Sequence, residues 1–164
     1  MTKGIVVCSL FDGCSGTQIA LKNLGIPVYK YYASEIDKYA IQITRKNFPN
    51  TIHLGDIKEI KGEDFIHDID LLTAGSPCQG FSFAGKQKAF KDERSVLFFE
   101  FIRLLEELKP KYFLLENVKM KKEHQEVINN AIGKIYPECV NGSLFGIEPR
   151  EINSSLVSAQ SRKR

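Results

Sequence analysis

Short runs of β-branched and aromatic residues alternate with segments of helical period along most of this chain. That alternation constrains the fold more than any other feature. Ile5 to Leu10 is an apolar run, Val28 to Ala33 is β-branched and aromatic, Thr51 to Leu54 is short, and Ile69 to Ala74 and Tyr112 to Leu115 follow. Between them Gly16 to Leu24, Asp37 to Asn47 and Ser95 to Lys109 have helical period, the last with apolar residues at Leu97, Phe98, Phe101, Leu105 and Leu108. Gly25 and Pro27, Pro49, and Pro110 stop these helices. Strand, helix, strand at this spacing calls for crossover connections between parallel strands. The expected fold is therefore α/β, a doubly wound and mostly parallel sheet of Rossmann-like type.

Length and charge narrow the class. A chain of 164 residues can bury one proper core but not two of ordinary size, so a single domain over 1–164 is expected. Hydrophobic residues at 43% and charged residues at 26% are ordinary for a soluble protein. No apolar run is long enough to span a bilayer and Met1-Thr2-Lys3 opens no cleavable leader, so a cytoplasmic location without a membrane partner is expected. Cys8, Cys14, Cys78 and Cys139 have no CxxC spacing, which suggests neither a zinc site nor a disulfide framework. A net charge of +3 is too small to identify a nucleic-acid partner by itself.

In a sheet of this kind the first strand-to-helix turn is the default position for a nucleotide-like ligand. Here it is Leu10-Phe11-Asp12-Gly13-Cys14-Ser15-Gly16-Thr17, with small residues where backbone must approach a ligand and Gly16 opening the next helix. The turn lacks the full GxGxxG and the GK[ST] ending, and Asp12 would repel a pyrophosphate, so NAD and ATP are disfavoured. A ligand with a positive centre would suit that carboxylate. Glu35 follows the second strand, in the usual place for an acid that takes ribose hydroxyls, and Asp56 follows the third, suited to an adenine amino group. Acids at three successive strand ends favour an adenosyl ligand without phosphates.

The fourth strand runs into Gly75-Ser76-Pro77-Cys78-Gln79. A thiol in a tight turn at the carboxyl edge of a sheet is a candidate nucleophile, set against the common alternative of an inert core cysteine. Phe11-Asp12-Gly13, Glu35, Gly55-Asp56-Ile57, Gly75 to Ser82, Glu116-Asn117-Val118 and Gln160-Ser161-Arg162-Lys163-Arg164 together resemble, in order, the motifs of S-adenosylmethionine-dependent cytosine-C5 methyltransferases. The resemblance covers essentially the whole chain. It departs from the pattern at Ser15, where a glycine is common.

The resemblance implies transfer of a methyl group from S-adenosylmethionine to C5 of a flipped cytosine in double-stranded DNA. Cofactor contacts would come from Phe11, Asp12, Gly13, Gly16, Thr17, Glu35, Ile36, Asp56, Ile57 and Pro77, with no metal. Cytosine C5 is a poor nucleophile until a group adds at C6, and Cys78 would be that group. Glu116, protonated, would engage N3, and the fixed charge of Arg162 would serve the O2 side of the ring. Chemistry on a stacked base requires flipping, and 79–94 resembles the loop that closes over the base. Gly80 and Gly85 would hinge it, while Gln79, Ser82, Lys86, Arg94 and, beyond the loop, Arg164 would contact DNA. Lys119, Lys121 and Lys122 suit either backbone contacts or a solvated helix face.

In the family the Gln-x-Arg-x-Arg element is followed by an inserted strand, a variable target-recognition region and a late motif that completes the cofactor pocket. With Arg150 to Leu156 as the sixth strand, the sequence given would be an incomplete catalytic half that needs a C-terminal part or a complementing chain. A bacterial or phage-infected cell is the expected setting, as in restriction-modification. Two other functions stay open: a noncatalytic relative that binds the cofactor or a partner, and an RNA cytosine methyltransferase of the same fold.

Overall fold

The computed structural model describes residues 4–75, 93–117 and 122–136. Its elements are β1 (Ile5–Leu10), α1 (Gly16–Asn23), β2 (Val28–Ser34), α2 (Lys38–Asn47), β3 (Ile52–Gly55), β4 (Leu71–Gly75), α3 (Glu93–Leu108), β5 (Tyr112–Glu116) and α4 (Lys122–Ile135). Two single 3-10 turns, Ile57–Glu59 and Gly62–Asp64, lie between β3 and β4. Contacts divide the chain into two compact units, Met1–Pro77 with Leu97–Glu116, and Cys78–Val96 with Asn117–Arg164. The first holds the sheet. Of the second, the described parts are the opening turn of α3, Asn117, and α4.

The five strands are ordered β3-β2-β1-β4-β5 and every pairing is parallel. The chain winds outward from β1 through β2 to β3, then returns to the other side of β1 for β4 and β5. That reversal opens a crevice at the carboxyl ends of β1 and β4. Central strands of such a sheet are covered on both faces and so carry continuous apolar runs in place of alternation. β1 accordingly buries Val6 through Leu10, and β4 buries Leu72, Thr73 and Ala74. Phe98, Phe101, Leu104 and Leu105 of α3 are fully buried, a stripe at helical spacing that seats this helix on the core.

Local chemistry sets the ends of the elements. α1 closes in a Schellman motif: Gly25 has φ 68°, its N–H donates to the Lys22 carbonyl, and the Ile26 N–H donates to that of Leu21. Asp37 is the N-cap of α2 and accepts from the N–H groups of Tyr39 and Ala40 at 2.8 and 3.0 Å, so the helix begins one residue later than its period suggests. β2 extends one residue further than expected because Ser34 pairs with Leu10 and sends its hydroxyl to the Gly55 carbonyl at 2.8 Å. β4 begins at Leu71, yet its pattern reaches back: the Asp70 N–H donates to Val6 O, while Asp70 Oδ2 accepts from Val6 N at 2.8 Å.

α3 starts two residues before its expected boundary, and α4 was not among the expected elements. Asn129, Asn130 and Gly133 lower the propensity of that segment. Val127, Ile128, Ala131 and Ile132 nonetheless recur at helical spacing, with Ile128 buried. Arg150 to Leu156, proposed as a sixth strand, lies outside the described residues.

Leu72 lies at the centre of the sheet with no exposed surface, whereas Leu114 on β5 is 61% exposed. Leu72→Ala is expected to lower the unfolding free energy by about 2–5 kcal/mol, from lost burial and the cavity left behind. Leu114→Ala should change it by less than about 0.5 kcal/mol. Urea denaturation of the two variants measures the contrast.

Candidate active site

The β1–α1 turn carries the most unusual backbone in the described residues. Phe11, Gly13 and Ser15 have φ of 56°, 57° and 62°, the left-handed region that costs an L side chain energy. Non-glycine residues held there cluster at ligand sites because surrounding structure must enforce them. At Ser15 the enforcement is visible. The residue is fully buried, and its hydroxyl donates a short hydrogen bond to Asp12 Oδ2 in place of a helix-capping bond.

A serine hydroxyl has one proton and two acceptor positions. With that proton directed at Asp12 Oδ2, Ser15 Oγ accepts from Gln18 Nε2 at 3.1 Å, and Thr44 must be the donor across the 3.1 Å Ser15–Thr44 contact. The other Asp12 oxygen, Oδ1, accepts from the Tyr31 hydroxyl at 2.7 Å. Burial, and then the neighbouring Asp12 charge, push the Tyr31 pKa well above the ordinary range, so Tyr31 remains a donor. Asp12 is thus a buried carboxylate held on both oxygens, joining β1, α1 and β2 through its contacts. Thr17 and Thr73, 3.1 Å apart through their hydroxyls, tie α1 to β4.

Glu35 closes the other side of the crevice. Its Oε2 accepts from the Gly13 N–H at 2.8 Å, and its Oε1 accepts from the N–H groups of Ile36 and Asp37, each at 2.8 Å. A carboxylate offers about four acceptor positions, so three backbone donors leave one for a ligand hydroxyl. Beside it Ile36 is 74% exposed, an apolar side chain standing at the mouth of the crevice. At the end of β3, Asp56 Oδ1 accepts from Lys58 N at 3.0 Å. Ile57 is only 3% exposed, so its side chain belongs to the core and a ligand would meet this turn through backbone and Asp56.

On the far side of β1, Gly75 pairs with Glu116 across β4 and β5. A Cβ built on Gly75 would lie 3.3 Å from Glu116 Oε2. The Glu116 carboxylate therefore sits over the residue three positions before Cys78. Glu116 is exposed. Cys78 itself, with Arg162, Pro77, Gln79, Ser82, Lys86 and Arg164, lies outside the described residues, and of Arg94 only the backbone, in α3, is described. Among the described cysteines Cys14 is exposed, while Cys8 is buried in β1. Burial, then Asp12, raises the Cys8 pKa far beyond the thiolate range and leaves Cys8 inert. Among the described residues no group of three or more His, Cys, Asp and Glu side chains is placed to hold a metal ion, and no helix is long and apolar enough to cross a membrane.

Phe11, Asp12, Gly13, Gly16 and Thr17 lie on the β1–α1 turn and the start of α1, Glu35 joins that turn through the Gly13 N–H with Ile36 beside it, and Asp56 follows the adjacent strand. Tyr31, Gln18 and Thr44 complete the turn but were not foreseen. Each lies inside a stretch whose period marks only a strand or helix, and no spacing links them to Asp12.

An all-parallel sheet in this order, with acids at consecutive strand ends, has the Rossmann-like fold of methyltransferases. The family model for the C-5 cytosine-specific DNA methylase matches residues 5–155, and the chain belongs to that family. It is 46% identical over 117 residues to the type II methyltransferase M1.ScrFI of Lactococcus lactis subsp. cremoris, covering 71% of this chain and 29% of the relative. It is 39% identical over 137 residues to the type II methyltransferase M.HhaI of Haemophilus parahaemolyticus, covering 80% of this chain and 41% of that one. The fold is similar to a crystal structure of a Spodoptera frugiperda DNMT2 mutant, with TM-score 0.64 and 27% identity over 83% of this chain and 41% of that chain. It is similar also to S. pombe Dnmt2 methyltransferase, with TM-score 0.63 and 29% identity over 82% of this chain and 42% of that chain. The chain thus spans less than half the length of these relatives.

The Ser15 turn has an energetic signature. Ser15→Ala keeps the left-handed backbone but removes a donor from a buried carboxylate, and should cost about 1–3 kcal/mol. Ser15→Gly loses the same bond but relieves the backbone, so it should be less destabilising than Ser15→Ala by about 1 kcal/mol. Equilibrium denaturation of both variants tests the order, and a Gly variant weaker than Ala would show the backbone strain to be unimportant.

Proposed function

We propose that this chain is the cofactor-binding and nucleophile-bearing part of an S-adenosylmethionine-dependent DNA cytosine-C5 methyltransferase, forming one catalytic domain with a Cys78 nucleophile. The observation that carries the proposal is the pairing of Glu116 with Gly75, three residues before Cys78 in the sequence, on the sheet whose β1–α1 turn is strained and followed by acids at successive strand ends. The family model and the type II relatives support the same reading. The activity belongs to the whole protein that contains these residues.

The crevice fits an adenosyl ligand without phosphates. Its strained turn has Asp12 held internally and lacks the donor-rich ending of a phosphate cradle, Glu35 keeps one acceptor position for a ribose hydroxyl, and exposed Ile36 offers a flat apolar contact to a base. Asp56 would accept from an exocyclic amino group, with Phe11, Gly13, Gly16, Thr17, Ile57 and Pro77 completing the contact. S-adenosylmethionine, when bound, supplies an electrophilic methyl group. The Cys78 thiolate adds to C6 of the flipped cytosine, forming a C–S bond and raising electron density at C5. Glu116 holds a proton at N3, which offsets the charge this addition places on the ring, and Arg162 serves O2. Once C5 is methylated, loss of its proton and expulsion of Cys78 restore the aromatic ring. Gln79, Ser82, Lys86, Arg94 and Arg164 would hold the DNA backbone and the vacated site.

A second reading, RNA cytosine methylation, is consistent with the fold similarity to the two Dnmt2 methyltransferase structures. The two share chemistry and differ in substrate. Calorimetry of the purified chain with S-adenosylmethionine should give micromolar binding, about −8 kcal/mol. The protein containing this chain should form a covalent adduct with a 5-fluorocytosine DNA duplex, and Cys78→Ser should abolish it. Glu116→Gln should slow methylation by about 10²- to 10⁴-fold. An adduct with the matched RNA alone would move the assignment to RNA; binding without any adduct would leave only a noncatalytic cofactor-binding relative.

A further inference from the structure

Arg103, on α3, makes no contact with the crevice, yet its guanidinium is tied to the turn that follows Asp56. Its Nη2 donates to the Ile57 carbonyl at 3.1 Å. Its Nε and Nη2 meet Glu100 Oε2 at 2.9 and 2.8 Å, and its Nη1 meets Glu107 Oε1 at 2.9 Å. The second oxygen of Glu107 accepts from the Gly62 N–H at 2.7 Å, so one ion triad grips the 57–62 connection at both ends. A Cβ on Gly62 would come within 3.1 Å of Glu107 Cβ, so this close approach depends on glycine. Between the two grips Ile57 and Ile60 are buried.

These ion pairs are a quarter to a third exposed, and pairs in that setting contribute little net stability. Their geometry matters more. An arginine fork held on two carboxylates has its donors fixed in direction. The carbonyl it then fixes belongs to the residue next to Asp56, whose own carboxylate is oriented by the N–H of Lys58 in the same turn. We propose that Arg103 is a positioning residue for adenine selection: through Ile57 it sets the direction of Asp56 toward the 6-amino group of the ligand. This rests on the reading of the crevice as an S-adenosylmethionine site.

The test is calorimetric titration of the whole protein that contains this chain with S-adenosylhomocysteine and with S-inosylhomocysteine, in which a carbonyl replaces the 6-amino group. The wild-type chain should prefer the adenosyl ligand by about tenfold or more, the equivalent of 1.4 kcal/mol. Arg103→Met should bring the two affinities to within about threefold of each other, because the acceptor is no longer aimed. Arg103→Lys, which keeps the charge but cannot serve two carboxylates and a carbonyl together, should give an intermediate ratio and covers the case in which the Met variant fails to fold. Glu35→Gln should weaken both ligands alike and keep the ratio. If the wild type discriminates and both Arg103 variants keep its ratio, Arg103 is structural and the proposal is overturned. A wild type that binds neither ligand, or binds both equally, overturns the adenine assignment first and the Arg103 role with it.

Discussion

A carboxyl group withdrawn from water must be given hydrogen-bond partners or its burial is costly, and Asp12 is such a group. Ser15 and Tyr31 are those partners, and each brings a constraint with it. Ser15 accepts a left-handed backbone in order to reach back to Asp12, which sets the direction in which α1 leaves the sheet. Tyr31 projects from β2, so the same carboxylate ties the neighbouring strand to the turn. Gln18 and Thr44 then satisfy the remaining positions on Ser15 and draw in α1 and α2. The crevice owes its shape to this network.

The parallel topology makes that local arrangement useful. Because every strand points the same way, the residues just past β1, β2, β3 and β5 arrive at one edge of the sheet. Glu35, Asp56 and Glu116 are far apart in sequence and belong to one side of the fold. Glu35 shows how such an acid is held in place: three backbone N–H groups from two different loops donate to it. Glu116 stands exposed over Gly75, where the missing side chain leaves room for its carboxylate.

Much of the fold was legible because strand and helix periods are local properties. All five strands lay within a residue or two of their expected positions, and the helix stops at Gly25 and Pro110 followed from backbone chemistry that any reader of the residues can apply. The boundaries that moved did so for reasons outside the period. Ser34 joined β2 because its hydroxyl found Gly55 O, and Asp37 became a cap because its side chain took two N–H groups. α4 was missed because two asparagines and a glycine mask a stripe of apolar residues. In the site, the acids at strand ends were recognisable one by one. Tyr31, Thr44 and Arg103 were not, since nothing in a strand or helix pattern marks which polar group will face a turn 19 to 46 residues away in sequence.

The sequence by itself determined that the chain alternates strand and helix, that a Gly-Ser-Pro-Cys-Gln run begins at the end of the fourth strand, and that its acids fall at strand ends; these follow from composition and spacing along a single dimension. Its ordered motifs also sufficed to state the family. Only the tertiary structure decided that Asp12 is an internal anchor rather than an open charge, that Ile57 turns its side chain inward, and that Glu116 lies across Gly75. Each of those outcomes depends on which side chains meet across elements, and such meetings are set by packing and hydrogen-bond satisfaction in three dimensions, which no local period encodes.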